Sequence, residues 1–587
     1  MTEEARTRTL AARLSAFYER IRTLTPSRVW EAIGIAVLAV AAAGAATLFH
    51  AMTVWIEAHS ISRFEAIGTG WFVAGSLASV VTGSALASLL ISRFAPRAGG
   101  GGVLPVKLAY WKEFGVLGFK EAVVKIFGSA LTLGSGVSLG PEGPSIQIGA
   151  AVLSGAAGVS RVAKQGRRVW CAAGAAAGLA AVFNAPLAAI SFVLEEVVGD
   201  LHSRLIGRIV VAAIVGALVA HAVLGPQPAF QAGALGVIGW RPWLVVPFVA
   251  VLAAFGGAVF QKAALRCRRS LLAVPRGRLH AYRPVLGALV TWGAGVTVYL
   301  LTGHAGIFGV GYADITGAIA GNLVWTTALA LFLGKIVATA GAVGTGGCGG
   351  IFAPSLFIGA TAGAALSSLA SFALPLGAGE RSMLVMIGMA ASLGAVIRTP
   401  ITCILLIFEV TNQWVIVPAL LVAVVISQVV AGLVNRHDMY EDMMLQDGID
   451  PNQALPPRHF KRWQEIPVSA LASFKPILAC GTSPGELADL LARSSHQCFP
   501  VRSKEGRIVG VLERSEASRA IALAREPVLK PGLWIAPKGT VGDARRKMLS
   551  SGVDFLCVGD ESGGQLEGVL TLHDLLRGES VLEDDTP

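Results

Sequence analysis

Two glycine-rich stretches carry residue types that can bind an anion. They are GSGVSLGPEGPSIQIGA at 134–150 and GTGGCGGIFAPSLFIGA at 344–360. In each, the glycines let the backbone turn freely, and a proline opens an apolar segment, as is typical of the first turn of a helix. Each stretch therefore predicts a loop that leads into a helix N-terminus. The unpaired N–H groups and partial positive charge of such an N-terminus form a ready site for an anion.

The two stretches are copies of one element. At a constant offset of 210 residues (344 minus 134) they share three glycines and the sequence PSxxIGA. A second matched pair, APLAAISFVLE and TPITCILLIFE, extends the repeat to about 116–200 and 326–412. Interrupted helices in two related halves are typical of transporters. The sequence is compatible with parallel or inverted halves, but N-termini that meet at a midplane site from opposite leaflets require inverted ones. We therefore expect an inverted repeat.

The composition indicates a membrane protein with many spans. Of the 587 residues, 54% are hydrophobic and only 14% are charged, whereas about 25% are charged in an ordinary soluble protein. The net charge of +11 follows the positive-inside pattern, and the sequence has no basic patch with base-stacking aromatic residues, so no nucleic-acid partner is predicted. The seven cysteines form no CxxC pair and no Cys/His ligand spacing, which indicates neither a disulfide framework nor a metal site.

Apolar segments define a membrane domain at 29–440. Several are long enough to span, but others fall below the roughly 20 residues that a span needs. We interpret the short ones as half-helices or tilted fragments buried among their neighbours. They are 146–159, 170–182, 186–198, 381–396 and 400–410. The segment 1–28 is charged and amphipathic, and its six arginines predict a cytoplasmic N-terminus.

Beyond residue 440 the chain predicts a soluble module with its own internal repeat. Residues 441–465 are polar and contain prolines, as a linker does. The segments 466–525 and 526–582 then match each other. Ser483 and Thr540 are predicted N-caps with an acidic residue three positions later, and the triplet GVL follows in both. Each unit predicts strand, helix, strand, strand and helix in that order.

Over almost its whole length the sequence resembles the CLC family of chloride channels and transporters, with a pair of cystathionine-β-synthase (CBS) domains at the C-terminus. The resemblance rests on GPEGP at 140–144, FNAPLAAISFVLEE at 183–196, GGIFAP at 349–354 and Tyr440 after the last span, in family order. It implies an all-α polytopic membrane fold with an inverted repeat and about 18 helices, many tilted or half-spanning. It further implies a cytosolic α/β CBS pair and a homodimer with one anion pathway per subunit.

The resemblance places two carboxylates in the transport path. Glu142 matches the family's external gating glutamate, and a carboxylate beside a helix N-terminus can occupy the anion site and leave when protonated. A plain first-turn carboxylate, favoured by the helix dipole, is the alternative for Glu142. Glu196 matches the internal proton-transfer glutamate, which is found in exchangers and usually missing in channels. The repeat pairs Glu195 with Glu409 but Glu196 with Val410, so Glu195 is predicted to serve the shared scaffold and Glu196 the function. A solvated acid at a helix end is the alternative for Glu196.

The resemblance also implies the remaining ligands. The anion is held by backbone N–H groups and one hydroxyl, from Gly101, Gly102, Val103, Gly143, Ile351, Phe352 and Tyr440. An interfacial anchor is the alternative for Tyr440. In the second CBS unit, Thr571 and Asp574 match residues that hold a nucleotide's phosphate and ribose, whereas Glu513 and Glu516 stand there in the first unit. An adenine nucleotide and a purely structural, dimerising tail both stay open.

Two positions depart from the family pattern. The family's GSGIPEVK is GGGVLPVK at 100–107, so Gly101 replaces the selectivity serine and no hydroxyl is available. The family's GREGP is GPEGP, so Pro141 removes an arginine beside Glu142 and should change the titration of that gate. Selectivity among chloride, nitrate and other halides therefore stays open.

The resemblance favours a chloride/proton antiporter in the bacterial inner membrane, with both termini cytoplasmic. The closest alternative is a passive chloride channel of the same fold, and Glu196 favours the exchanger. A nitrate- or fluoride-selective member and a CBS-containing magnesium channel are more distant, since the latter would need clustered carboxylates for a hydrated cation. No nucleophile, metal or cofactor constellation is present in the sequence, so neither an enzyme nor a required cofactor is predicted. The predicted partners are inorganic anions, protons, the bilayer and a second copy of the chain.

Restoring the missing hydroxyl with Gly101→Ser should sharpen the preference for chloride over nitrate. Backbone N–H groups and water, which hold the anion in its absence, discriminate weakly between the two. A hydrogen bond to a charged partner contributes roughly 1.5 to 3 kcal/mol and water already supplies part of this, so we expect a shift within about tenfold. The measurement is the chloride-to-nitrate flux ratio of both proteins side by side. An unchanged ratio would show that residues 100–105 do not line the anion site.

Overall fold

The chain forms two compact units, residues 1–455 and 456–587. The computed structural model describes residues 27–160, 162, 166–201, 205–225, 230, 233, 235–236, 238–273, 282–451, 466–560 and 565–576. Most of the predicted N-terminal segment 1–28 therefore lies outside the described residues. The same holds for 452–465 of the predicted linker and for 577–582 of the second predicted CBS unit.

Within the described residues, eighteen α-helices lie between Ser27 and Gln446. The first eight are α1 (Ser27–His59), α2 (Ile61–Ile67), α3 (Thr69–Phe94), α4 (Val103–Lys112), α5 (Phe119–Gly134), α6 (Glu142–Val159), α7 (Arg167–Phe183) and α8 (Pro186–Phe192). The other ten are α9 (Ile206–Leu224), α10 (Arg241–Leu272), α11 (Arg283–Thr302), α12 (Tyr312–Ile319), α13 (Trp325–Gly344), α14 (Phe352–Ala370), α15 (Ala378–Ile397), α16 (Pro400–Thr411), α17 (Val417–Val434) and α18 (Met439–Gln446). Nine helical segments of the described chain are long and apolar enough to cross a membrane. The predicted all-α membrane fold is confirmed.

Several helices are too short to span, as the sequence predicts. Helix α8 has 7 residues and continues into a π-helical turn at Val193–Val198, and α16 has 12 residues. The prediction that 381–396 is also a short fragment is wrong. Helix α15 reaches 20 residues because it begins with a polar turn, in which the Glu380 carboxylate accepts a hydrogen bond from the Gly377 N–H. An apolar run alone does not include such a turn.

The two repeats meet at their glycine loops. The Gly140 N–H donates to the Gly350 carbonyl over 2.8 Å, and the Gly350 N–H donates to the Gly140 carbonyl over 2.6 Å. This antiparallel pair has the reciprocal geometry of two segments related by a two-fold axis. Helix α6 begins at Glu142 and α14 at Phe352, two residues beyond the pair on each side. The predicted inverted repeat is confirmed.

Two glutamates at equivalent positions of the repeats each cap the start of a helix in the opposite repeat. The Glu195 carboxylate accepts hydrogen bonds from the Thr402 N–H (2.8 Å) and hydroxyl (2.6 Å) at the start of α16. The Glu409 carboxylate accepts from the N–H groups of Leu187 (2.9 Å) and Ala188 (2.7 Å) at the start of α8. Each carboxylate thus satisfies N–H donors that a helix start leaves without intrahelical partners. This agrees with the prediction that Glu195 serves the scaffold.

Small residues allow the central helices to approach closely. A Cβ atom added at Gly149 of α6 would collide with the Gly174 carbonyl of α7, and one added at Gly359 of α14 would collide with the Gly388 carbonyl of α15. Because lipid is as apolar as a leucine side chain, close backbone contact is a main source of attraction between membrane helices. The helices that present the glycine loops are therefore held by matching contacts in the two repeats.

Helix α18 changes one predicted boundary. The sequence predicts that a linker begins at residue 441, but α18 continues to Gln446, and its Met444 is fully buried. The Asp438 carboxylate caps this helix by accepting from the N–H groups of Tyr440 and Glu441, each over 2.8 Å. Polar composition placed the boundary too early because only one side of α18 is buried.

The second unit follows the predicted order of elements through β5, and of its closing helix only residues 572–576 lie within the described residues. Its helices are α19 (Pro484–Arg493), α20 (Arg514–Ala522) and α21 (Val541–Ser551), and its strands are β1 (Cys498–Arg502), β2 (Ile508–Glu513), β3 (Trp534–Ile535), β4 (Phe555–Asp560) and β5 (Gln565–Thr571). Strands β1 and β2 are antiparallel, while β3 pairs with β4 in parallel and β4 with β5 in antiparallel fashion. In the first half, the opening strand is reduced to a parallel bridge between Ala479 and Val501. Ser483 and Thr540 form the predicted capping boxes.

Candidate functional site

Glu142 lies where the two helix starts converge. It is the first residue of α6 and has no solvent exposure. Its Oε1 atom accepts a hydrogen bond from the Ala353 N–H over 2.8 Å, in the first turn of α14. The other carboxylate oxygen, Oε2, lies against Gly140 and Gly350 and has no hydrogen-bond partner among the described residues. The carboxylate of one repeat thus occupies the helix N-terminus of the other, where an anion would bind.

The loop before α4 forms another wall of this site. Gly102 has a φ of 95°, and a Cβ atom added to it would collide with the Gly143 carbonyl. A Cβ atom added to Gly143 would in turn collide with the Gly101 carbonyl. Both positions therefore require glycine. A Cβ atom at Gly101 would lie 3.6 Å from the Gly349 carbonyl oxygen, an ordinary contact, so a serine fits there. The structure brings the predicted residues Gly101, Gly102 and Gly143 together beside Glu142.

The predicted ligands from the second repeat lie at the same place. Ile351 immediately precedes α14 and Phe352 is its first residue, and both side chains are buried. The donor to Glu142 is nevertheless Ala353, which the sequence interpretation missed. The repeated motif marks where α14 begins but not which of its N–H groups meets Glu142, because a first helical turn leaves several N–H groups without intrahelical partners. Val103 is buried as the first residue of α4, after Gly102.

Tyr440 is an internal residue. Its side chain is 3% exposed and lies in α18. It interacts electrostatically with both Glu196 and Glu142. An interfacial anchor would keep its hydroxyl in the headgroup region, so the position of Tyr440 fits the ligand hypothesis better than the anchor alternative.

Glu196 is buried and paired with a lysine. Its Oε1 atom is 2.5 Å from Lys107 Nζ, and both side chains are almost fully buried. The alternative of a solvated acid is therefore wrong. Glu196 lies in the π-helical turn that follows α8, a local distortion that often occurs at functional sites. The sequence interpretation missed Lys107 as its partner, although this lysine ends the stretch GGGVLPVK.

Thr571 and Asp574 border a large cavity in the second unit. The Thr571 N–H and hydroxyl donate to the Asp574 carboxylate over 2.9 and 2.6 Å. Both residues line a cavity of about 850 Å³, together with Lys475, His496 and His573. A charged side chain and two imidazoles give this cavity groups that can bind phosphate oxygens.

The corresponding acids in the first CBS unit are held by internal contacts. Glu513 forms an ion pair with Lys530. The Val528 N–H and the Arg525 guanidinium donate to Glu516 and hold the pKa of that carboxyl below its ordinary value. Both carboxylates thus have partners within the unit, and an acidic side chain is a poor ligand for a phosphate. In the described residues no group of three or more His, Cys, Asp or Glu side chains could hold a metal ion.

Comparison with known proteins agrees with the helical membrane fold and the C-terminal CBS module. A family model described as voltage gated chloride channel matches residues 83–432, and a CBS domain model matches 525–580. A relative from Vibrio parahaemolyticus, named H(+)/Cl(−) exchange transporter ClcA, is 33% identical over 63% of this chain and 79% of its own length. A slow cyanobacterial Cl−/H+ antiporter has a similar fold at a TM-score of 0.63 and 22% identity, covering 72% of this chain and 98% of its own. A eukaryotic CLC transporter is similar over 92% of this chain and 97% of its own, with a TM-score of 0.57 and 20% identity.

Removing the cation from the Lys107–Glu196 pair should destabilise the protein. Lys107→Met leaves a buried carboxylate without this partner, and breaking one side of a buried pair costs roughly 3–5 kcal/mol. The double variant Lys107→Met/Glu196→Gln removes both charges and should regain most of the loss. Thermal unfolding in detergent measures both.

The matched control is Glu113→Gln, because the Arg97–Glu113 pair has side chains that are 66% and 41% exposed and should contribute little. If the double variant were as unstable as the single one, the buried charge would not be the cause.

Proposed function

Because the chain belongs to the voltage-gated chloride channel family, we propose that it exchanges chloride for protons across the membrane. The observation that carries this proposal is the presence of two buried carboxylates around one anion site. Glu142 lies on the helix start that would bind the anion. Glu196 is paired with Lys107 of α4, and the loop before α4 lies against Gly143. The relative from Vibrio parahaemolyticus carries the name of an exchanger, which agrees with this choice.

Glu142 can act as both plug and proton carrier. Its charged carboxylate takes the N–H donors of α14 that a chloride ion would otherwise use. Protonation removes the negative charge that holds it there and makes room for the anion. Proton binding at Glu142 and chloride binding at the α14 N-terminus are therefore linked events.

The second carboxylate separates an exchanger from a passive channel. A passive anion pathway needs no further buried acid, and burying one is costly. Glu196 is retained inside the protein at the expense of a partner, Lys107, that balances its charge. In this proposal Glu196 exchanges protons with one side of the membrane and Glu142 with the other.

We also propose that chloride is the preferred anion and that the protein is a homodimer. We place it in the bacterial inner membrane with both termini in the cytoplasm. The sequence assigns transport to residues 29–440, and we extend that unit to the end of α18 at Gln446. We assign the two CBS units to 466–525 and 526–582. The mass of the purified protein in detergent, compared with 60.7 kDa for one chain, tests the dimer. The side of the bilayer on which the termini lie can be read from protease access to sealed vesicles.

Glu142→Gln should abolish proton coupling while chloride flux persists. The amide is a near-isostere that cannot ionise, so it neither carries a proton nor blocks the anion site with a charge. Glu196→Gln should uncouple as well, whereas Glu195→Gln should chiefly lower stability, because Glu195 caps α16. Chloride-driven proton uptake into liposomes measures all three variants. Normal uptake by Glu142→Gln would exclude this residue as the proton carrier.

We propose in addition that the cavity at Thr571 and Asp574 binds one adenine nucleotide. Asp574→Ala should weaken binding of ATP or AMP by tenfold or more, since a ribose bound through a charged group contributes roughly 1.5–3 kcal/mol. Calorimetry on the full-length protein in detergent measures this affinity. Glu516→Ala, in the corresponding position of the first unit, is the control. If the unaltered protein bound neither ATP nor AMP, the second CBS unit would have only a structural role.

A further inference from the structure

Two cavities lie at repeat-related positions and carry opposite charge. The gate cavity has a volume of about 340 Å³ and reaches Pro141, next to Glu142; its titratable wall residues are His50, Glu57, Glu65, His304, Tyr312 and Asp314. The opposite cavity has about 310 Å³ and borders the second glycine loop at Gly346 and Cys348, with Arg268 and Arg283 in its wall. Since the repeats are inverted, the two cavities lie towards opposite sides of the membrane.

Two glycines at equivalent positions of the repeats show which residues of the two cavities correspond. Gly134, at the end of α5, lies against Ile56 of α1, and Gly344, at the end of α13, lies against Cys267 of α10. The residue that follows Ile56 in α1 and the residue that follows Cys267 in α10 each line a cavity. In the gate cavity this residue is Glu57, and in the opposite cavity it is Arg268. The charge reversal therefore occurs at an equivalent position of one scaffold.

The scaffold itself does not need the acids. Lys335 of α13 is fully buried, donates to the carbonyls of Gly306 and Gly309, each over 2.9 Å, and interacts electrostatically with Asp314 and Glu57. Its counterpart 210 residues earlier, Lys125, is equally buried and donates to carbonyls in the same way, at Ala98 (3.0 Å) and Gly100 (2.6 Å). No carboxylate is among the described partners of Lys125. A buried lysine of this kind is thus stable without neighbouring acids.

We propose that the gate cavity collects protons for Glu142, an inference that rests on the proposed proton exchange. Its acids come from three elements: Glu57 from α1, Glu65 from α2 and Asp314 from α12. His304 also lines the cavity, with its Nδ1 atom 2.7 Å from Asp314 Oδ1. The negative field of these carboxylates raises the local concentration of protons and lowers that of anions.

The transfer is balanced without any further reactant. A proton moves from a cavity carboxyl group through water to the Glu142 carboxylate, and the cavity carboxylate regains a proton from the solvent. Tyr312 of α12 lines the cavity together with Glu57 and Pro141. The absent arginine at Pro141 is consistent with such a role, because a fixed cation at that place would repel protons.

The test is the dependence of transport on the pH of each side of a liposome, varied one side at a time. The variants are Glu57→Gln and the pair Glu57→Gln/Glu65→Gln. Removing one or two nearby charges should shift the pH of half-maximal proton flux on one side only, by about half to one pH unit towards acid. The number of chlorides per proton should stay unchanged because Glu142 and Glu196 are intact. High concentrations of an impermeant salt should reduce the difference from the unaltered protein.

Two controls separate charge from structure. Glu57→Asp keeps the charge and should restore the original pH profile, and Glu113→Gln removes an exposed carboxylate that lines neither cavity. If the neutral variants lost flux equally at every pH, or if their profile matched that of the unaltered protein, the proposal would be overturned. Absence of chloride-driven proton movement in the unaltered protein would instead contradict the proposed exchange itself.

Discussion

The reciprocal hydrogen bonds between Gly140 and Gly350 are the contact on which the site depends. Inside a bilayer, irregular backbone survives only where other protein groups or water satisfy it. This antiparallel pair satisfies the two loops with each other and so brings the starts of α6 and α14 face to face. Glu142 can then bond to the Ala353 N–H, and the Gly101–Gly102 loop can lie against Gly143. Larger residues at Gly102 or Gly143 would move this loop away from the carboxylate.

The protein uses the inverted repeat to satisfy buried polar groups in pairs. Glu195 and Glu409 each cap the opposite half, and Lys125 and Lys335 each tie down a glycine-containing loop through its carbonyls. Such contacts serve both halves equally, so both halves keep them. Residues that differ between the halves are free of that constraint. Glu196 is of this second kind, because the equivalent position of the other repeat is Val410. Its partner Lys107 belongs to α4.

The repeat, the glycine loops and the position of Glu142 at a helix start could be predicted because each has a local signal in the sequence. Periodic apolar runs and repeated motifs also gave most helices. Three features could not be predicted in this way, because they depend on contacts between distant segments. The Ala353 donor depends on the register of two facing helices, the Lys107–Glu196 pair joins residues 89 positions apart, and α15 is extended by a cap outside its apolar run.

Comparing the halves also distinguishes structural charge from functional charge. A charge that the fold requires should recur at the equivalent position, as the buried lysines do. At the position next to Ile56 and Cys267 the two halves instead carry Glu57 and Arg268, so the shared backbone tolerates either sign. An acidic wall attracts protons and a basic wall attracts anions, and the difference decays within about 8–10 Å in physiological salt. Under the proposed collection of protons, the two cavities, which are similar in size, differ mainly in which ion they concentrate. An inverted repeat that is symmetric in its backbone becomes directional through its side chains.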